Sequence, residues 1–146
     1  MGLMEAVGRG PVALDSSVFI YFIEGHPRFA PLLRPLFATV HAGRVEAVTS
    51  AITLLEVLVV PLRSGQSRLA ARYEAFLTWS RGLTLHAIEP PSLKVAAWLR
   101  ATTGASTPDA LQLATALAEG CTAFVTNDRR IPEVPGLRVI QLEQVA

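Results

Sequence analysis

The chain has 146 residues, enough for one domain and too few for two well-filled cores. Apolar residues make up 51% and charged residues 17%, which excludes a disordered chain, and no window approaches the ~18 uninterrupted apolar residues of a membrane-spanning helix. Thirteen basic against twelve acidic residues leave a net charge of +1, too little for a broad electrostatic footprint on nucleic acid, so any such contact must be local.

The lone cysteine, Cys121, excludes a disulfide framework and a cysteine-based zinc site. The opening MGLMEAVGRG lacks the charged-then-apolar layout of a secretion signal, so a cytoplasmic setting is expected. Residues 1–10 read as a loose lead-in and 11–146 as a single domain. PVALD is a short buried strand ending at Asp15. A helix follows over SSVFIYFIEG, capped by Ser16 or Ser17 and ended by Gly25. A second helix runs from Pro27 to about Ala42, interrupted or restarted near Pro31 and Pro35. RVEAVT, 44–49, is a strand, and 51–62 an apolar helix stopped by Pro61 and Ser64-Gly65. The segment 67–81 is amphipathic, with Leu69, Tyr73, Phe76 and Leu77 on one stripe. LTLHAI, 83–88, is a strand and 91–101 a helix. Ser106-Thr107-Pro108 opens a helix to about Glu119, closed by Gly120. AFVTND, 123–128, and LRVIQL, 137–142, complete the strands.

Short apolar strands alternating with helices predict parallel pairing through right-handed crossovers. The expected class is α/β, a three-layer sandwich with a central, mostly parallel sheet of about five strands and helices on both faces. In such sheets ligands sit at the carboxyl ends of the strands. That rule gives meaning to an imbalance among the acids: nine are Glu and only three are Asp. Asp15 and Asp128 fall at strand ends. Asp109 falls in the first turn of the helix leading into the fourth strand. Each has a local explanation: a helix cap for Asp15, a dipole contact for Asp109, turn chemistry for Asn127-Asp128.

Glu56, in ITLLEVLVV, weakens those local explanations. Its helical neighbours are Ile52, Thr53, Val59 and Val60, and a solvated Glu normally shares its face with polar residues. A shielded carboxylate needs a partner or a proton, and the nearest basic residue, Arg63, is two turns away. Four carboxylates at one sheet edge repel one another unless a cation neutralises them. Oxygen donors without His or Cys favour Mg²⁺ or Mn²⁺, a combination suited to phosphodiester hydrolysis. His26, His41 and His86 offer no ligand spacing. A P-loop, a dinucleotide-binding glycine motif and a GxSxG elbow are all absent.

The order strand-Asp15, helix-Glu56, Asp109 in TPDALQLATALAEG and Thr126-Asn127-Asp128 in FVTND resembles a PIN domain over roughly residues 11–142, and in length and layout a VapC-type toxin of a bacterial toxin–antitoxin pair. The resemblance implies a Mg²⁺- or Mn²⁺-dependent endoribonuclease, a homodimer, inhibited by a cognate antitoxin. It maps the catalytic and metal-binding set onto Asp15, Glu56, Asp109 and Asp128, with Thr126 beside the last acid, and implies cleavage that leaves a 5′-phosphate. A catalytically silent protein- or RNA-binding module of the same fold is the alternative. Arg129 and Arg130, directly after Asp128, are expected to help hold the substrate. The helices of 16–42, with Phe19, Tyr21, Phe22, Phe29 and Phe37, are expected to form much of a partner-binding surface, because VFIYFI is apolar on every side.

Overall fold

The computed structural model describes residues 1–146. Its elements are α1 (Leu3–Val7), β1 (Val12–Leu14), α2 (Ser16–Ile23), α3 (Phe29–His41), β2 (Ala47–Ser50), α4 (Ile52–Arg63), α5 (Ser67–Trp79), β3 (Leu83–His86), α6 (Pro90–Thr103), α7 (Thr107–Ala118), β4 (Ala123–Thr126), β5 (Arg138–Gln141) and α8 (Leu142–Val145). The five strands form one sheet in the order β3-β2-β1-β4-β5, and every pairing is parallel. The expected α/β sandwich is therefore present. Val12 pairs with Ala47 on one side and Ala123 on the other, which puts β1 at the centre. All five carboxyl ends lie along one edge.

Alternation along the strands sorts the core onto two faces. Val12 and Leu14 join Phe19, Leu33, Tyr73 and Leu77 on the face covered by α1, α2, α3 and α5. Ala13, Val48 and Phe124 join Leu99, Leu113 and Ala116 on the face covered by α6 and α7. No helix is long and apolar enough to cross a membrane.

Two expectations give way. The loose lead-in is a short helix: Leu3, Ala6 and Val7 are buried in the first core, and the Arg138 guanidinium donates to the Ala6 carbonyl. The prolines do not interrupt α3 or end α4. Pro31 stands in the first turn of α3, where the missing N–H has no partner to lose. Pro35 forgoes one bond, and the buried row Leu33, Leu36, Phe37 and Val40 holds the helix together across it. Pro61 lies in the last turn of α4.

The rings of α2 and α3 pack largely within the chain. Phe19, Phe29 and Phe37 are buried inside the monomer. Phe19, Phe22 and Phe37 meet Phe76 of α5 at centroid separations of 6.0 Å, 5.7 Å and 5.4 Å. Aromatic pairs at these distances are favourable contacts in their own right. Much of the all-round apolar helix is thus covered by α3 and α5, while Ile20, Tyr21 and Phe22 stay partly exposed. Large apolar residues left exposed include Leu55, Val59, Val60 and Leu62 on α4, Trp79 on α5, and Leu93, Val95 and Trp98 on α6.

The approach of the α5–β3 turn to α3 yields a test. At Gly82 (φ +77°) a Cβ would stand 2.3 Å from the Val40 carbonyl oxygen, whereas at Gly104 (φ +75°) it would meet nothing within 4 Å. Gly104→Ala should carry only the left-handed backbone cost of about 1–2 kcal/mol. Gly82→Ala adds a main-chain collision and should cost more. Urea denaturation of the two variants measures the difference; equal losses would mean that the α3–β3 contact yields freely.

Candidate active site

β1 ends at Leu14, and the next residue, Asp15, caps α2. Its Oδ1 accepts the Ser16 N–H at 2.7 Å. Its Oδ2 accepts the Thr126 hydroxyl at 2.6 Å and the Ser17 hydroxyl at 3.4 Å. The local explanation for Asp15 is therefore correct, and it coexists with a place in the cluster. Thr126, the last residue of β4, also accepts the Asp128 N–H at 2.9 Å. One buried hydroxyl thus ties the Asp15 carboxylate to the backbone of Asp128. Parallel pairing of β1 with β4 makes this possible: Leu14 lies beside Val125, and the Asp15 N–H donates to the Val125 carbonyl at 3.0 Å.

Asp109 is the third residue of α7. Ser106 caps that helix by accepting the Asp109 N–H at 3.3 Å. With Pro108 fixing the first turn, the Asp109 side chain is held at the helix start and is buried. Asp128 is more open. Its carboxylate takes a two-pronged contact from Arg130, Nε to Oδ1 at 3.0 Å and Nη2 to Oδ2 at 3.1 Å, and Oδ1 also accepts the Arg130 N–H at 2.9 Å. Glu56, on α4, is half-buried, and its Oε1 is shut off from solvent with no hydrogen-bond partner. The apolar neighbours invoked from sequence are not what shields it, since Val59 and Val60 are exposed.

Asp15, Glu56, Asp109 and Asp128 line one cleft of about 420 Å³ with Ser16, Ser17, Tyr21, Ser106, Pro108, Asn127 and Arg130. Burial raises the pKa of Asp15, Glu56 and Asp109 above the ordinary carboxylate value, and repulsion among the acids adds to it: Asp128 acts on Asp15, Asp15 and Asp109 on Glu56, and Asp128 and Asp15 on Asp109. Asp128 goes the other way, lowered chiefly by its Arg130 contact.

Arg130 borders the cleft, while Arg129 turns away and pairs with Glu143 at 2.6 Å. His86 pairs with Glu119 at 2.9 Å, and the His26 Nδ1 accepts the N–H groups of Arg28 and Phe29 at 3.2 Å each, at the start of α3. Sequence reasoning missed Asn127, whose amide donates to the Tyr21 hydroxyl at 3.2 Å and accepts the Glu143 N–H at 3.3 Å. It also missed Gln112, the one amide side chain in ALQLATAL, which is buried and bonded to Thr53 and the Ser50 N–H.

The donor set suits a hard divalent cation. It is all oxygen, carries more negative than positive charge, and leaves Glu56 Oε1 unpartnered. No three of the acids are gathered into a ready-made ligand cage, because Asp15 is tied to Thr126 and Asp128 to Arg130. Mg²⁺ does not require such a cage, since it keeps several waters and binds through one or two carboxylates.

The three raised pKa values fix a pH dependence. The folded chain holds protons that the unfolded chain has already lost, so stability is greatest below the ordinary carboxylate value. It falls as pH rises through the raised one. Asp128 opposes this, adding stability above its ordinary value that is lost as pH falls. Glu56→Gln removes one of the uncompensated charges. The melting temperature of the metal-free variant at pH 7 should equal or exceed that of the parent, and its decline from mildly acidic to neutral pH should be shallower. A clear drop at pH 7 in thermal melts would show that Glu56 stabilises the fold.

A search of curated proteins by sequence gives no match. Among solved structures, the chain resembles VapBC2 from Rickettsia felis bound to a DNA fragment from their promoter, at 18% identity and a TM-score of 0.70, covering 89% of this chain and 97% of that one. It resembles DNA-bound VapBC from Salmonella typhimurium at 22% identity and 0.69, covering 90% and 97%. A toxin–antitoxin complex from Klebsiella pneumoniae matches at 21% and 0.68, again covering 90% and 97%. At these identities the likeness establishes the shared fold. The sequence itself matches the PIN domain family over residues 12–137, a span that includes all four acids of the cleft, and the chain belongs to that family.

Proposed function

We propose that this protein is a Mg²⁺- or Mn²⁺-dependent endoribonuclease and the toxin of a toxin–antitoxin pair. The observation that carries the proposal is the cleft itself: four carboxylates, three of them held with raised proton affinity, balanced within it by Arg130 alone. Family membership supports nuclease chemistry. The likeness to VapBC assemblies and to a FitAB assembly bound to DNA supports the pairing with an antitoxin. On this proposal the protein works in the cytoplasm as a homodimer and is released from its cognate antitoxin to cut RNA. Because all four acids are present, the nuclease is favoured over the silent binding module.

Asp15, Asp109, Asp128 and Glu56 are proposed to hold the cation. When bound, Mg²⁺ or Mn²⁺ offsets charge on the phosphoryl oxygens and lowers the pKa of water. The residues of the chain divide the remaining work. Thr126 and Ser16 fix both oxygens of Asp15, so that this carboxylate enters the reaction already oriented. Glu56, whose proton affinity is raised, is proposed to orient the water that attacks phosphorus and to take its proton. The P–O3′ bond breaks, leaving a 5′-phosphate and a 3′-hydroxyl. Arg129 and Arg130 are proposed to contact substrate phosphate, with Arg130 the closer to the cleft.

Asp15→Asn should abolish cleavage of RNA by the purified protein while leaving it folded; turnover at the parent rate would overturn the assignment of the acids. Chelation with EDTA should stop the parent enzyme, and Mg²⁺ or Mn²⁺ should restore it better than Zn²⁺. Activity that persists in excess EDTA would refute metal dependence.

Arg130→Ala should weaken RNA binding and reduce the slope of log affinity against log salt by about 1, with a smaller change for Arg129→Ala. Unchanged binding in the double variant from low to moderate salt would count against both. Growth arrest on expression alone, relieved by co-expressing a small neighbouring reading frame whose product co-purifies, tests the toxin role.

A further inference from the structure

Behind the cleft runs a chain of buried polar groups that the proposed function does not use. Thr49, Ser50, Thr53 and Gln112 are all buried in surroundings that are otherwise apolar. The Thr49 hydroxyl donates to the Leu14 carbonyl at 2.7 Å. The Thr49 and Thr53 hydroxyls lie 2.7 Å apart, and the Gln112 amide nitrogen donates to Thr53 Oγ1 at 2.7 Å. The Gln112 amide oxygen accepts the Ser50 N–H at 3.3 Å.

These contacts leave one consistent arrangement of protons. A backbone N–H can only donate, so the Gln112 oxygen must face Ser50 and its nitrogen must face Thr53. The single Thr49 proton goes to the Leu14 carbonyl, so Thr53 donates to Thr49. The direction of the whole chain is therefore set, from Gln112 through Thr53 and Thr49 to Leu14. One amide proton of Gln112 has no recipient in this chain. Gln112 favours the charged form of Glu56, as a side-chain donor does, and Glu56 Oε1 has no hydrogen-bond partner of its own.

The members of the chain sit beside the acids in a regular way. Leu14 directly precedes Asp15. Thr53 is three residues before Glu56 on α4, and Gln112 is three residues after Asp109 on α7, so each shares a helix face with its acid. The elements that carry Asp15, Glu56 and Asp109 are thus bolted together one layer below the carboxylates.

We propose that Gln112 is a positioning residue: anchored by Ser50 and Thr53, it offers its remaining amide proton to Glu56 Oε1 and so holds that carboxylate in place for a divalent cation. This rests on the metal-dependent reading given above. Outer groups that orient a ligand typically contribute about 10–100-fold to metal affinity.

The test is Mn²⁺ binding by calorimetry to the full chain, without substrate, for the parent, Gln112→Met, Glu56→Gln and the double variant. Gln112→Met should bind Mn²⁺ at least about tenfold more weakly than the parent. In the Glu56→Gln background the same substitution should have no further effect. A structural role alone would weaken both backgrounds equally.

If Gln112→Met does not fold, the Gln112 side-chain amide signal in ¹H–¹⁵N spectra gives the same information from the parent. Added Mg²⁺ should shift that signal, and Glu56→Gln should abolish the shift. Equal Mn²⁺ affinity of parent and Gln112→Met, an equal loss in both backgrounds, or an unmoved amide signal overturns the positioning role while leaving the metal reading intact. A parent protein that binds no Mn²⁺ overturns both.

Discussion

Like charges forced to share a partly buried cleft are the constraint on which this molecule turns. Asp15, Glu56, Asp109 and Asp128 come from four different segments, so their repulsion does not exist in the unfolded chain; folding itself assembles it. A buried carboxylate without a partner is costly, and burial together with mutual repulsion raises the pKa of Asp15, Glu56 and Asp109. The fold tolerates it because each acid is tied to rigid structure: Asp15 as a cap on α2, Asp109 in a proline-started first turn, Glu56 on a helix fastened from below through Thr53.

The topology explains why these segments converge. With the order β3-β2-β1-β4-β5, successive connections first move outward from β1 to β3 and then cross back to β4 on the other side. The crevice between β1 and β4 is the switch point of the sheet, the place where a parallel α/β fold opens a site. Asp15 follows β1, Asp128 follows β4 by two residues, and Thr126 spans the gap between them with a 2.6 Å hydrogen bond. The helix starts of α4 and α7 border the same edge and bring in Glu56 and Asp109. Parallel pairing is what makes this edge common to all of them; a single antiparallel strand would send its carboxyl end away.

Much of this was legible from residues alone, for physical reasons that differ from case to case. Aspartate is rare here and disfavoured within helices, so three Asp at strand ends and a helix start stood out. Glu56 stood out against an apolar background, although the actual shielding is tertiary and its helical neighbours Val59 and Val60 face solvent. What stayed hidden depended on partners distant in the chain. Nothing local in MGLMEAVGRG shows that Leu3 and Val7 fill a core closed by α3 and β5. Nothing in VFIYFI shows that Phe76, more than fifty residues on, receives its rings. Thr49, Thr53 and Gln112 pass as a strand residue, a helix residue and a helix residue; only side by side do they form a directed chain.

The distribution of charge within the cleft also decides what it can accept. Asp128, the most open of the four, is matched by Arg130, whose guanidinium is almost fully exposed. That pairing spends the fork of the arginine on one carboxylate. Its charge acts on Asp109 less than burial and the neighbouring acids do. The deficit of positive charge therefore lies on the inner side, between Asp15, Glu56 and Asp109, where a second guanidinium or ammonium from this chain does not reach. A counter-charge for that space must be compact, must prefer oxygen donors, and must tolerate a carboxylate whose two oxygens are already committed to Ser16 and Thr126. A small divalent cation that retains its own waters meets all three conditions; a lysine brings only one charge, on a flexible four-carbon stem.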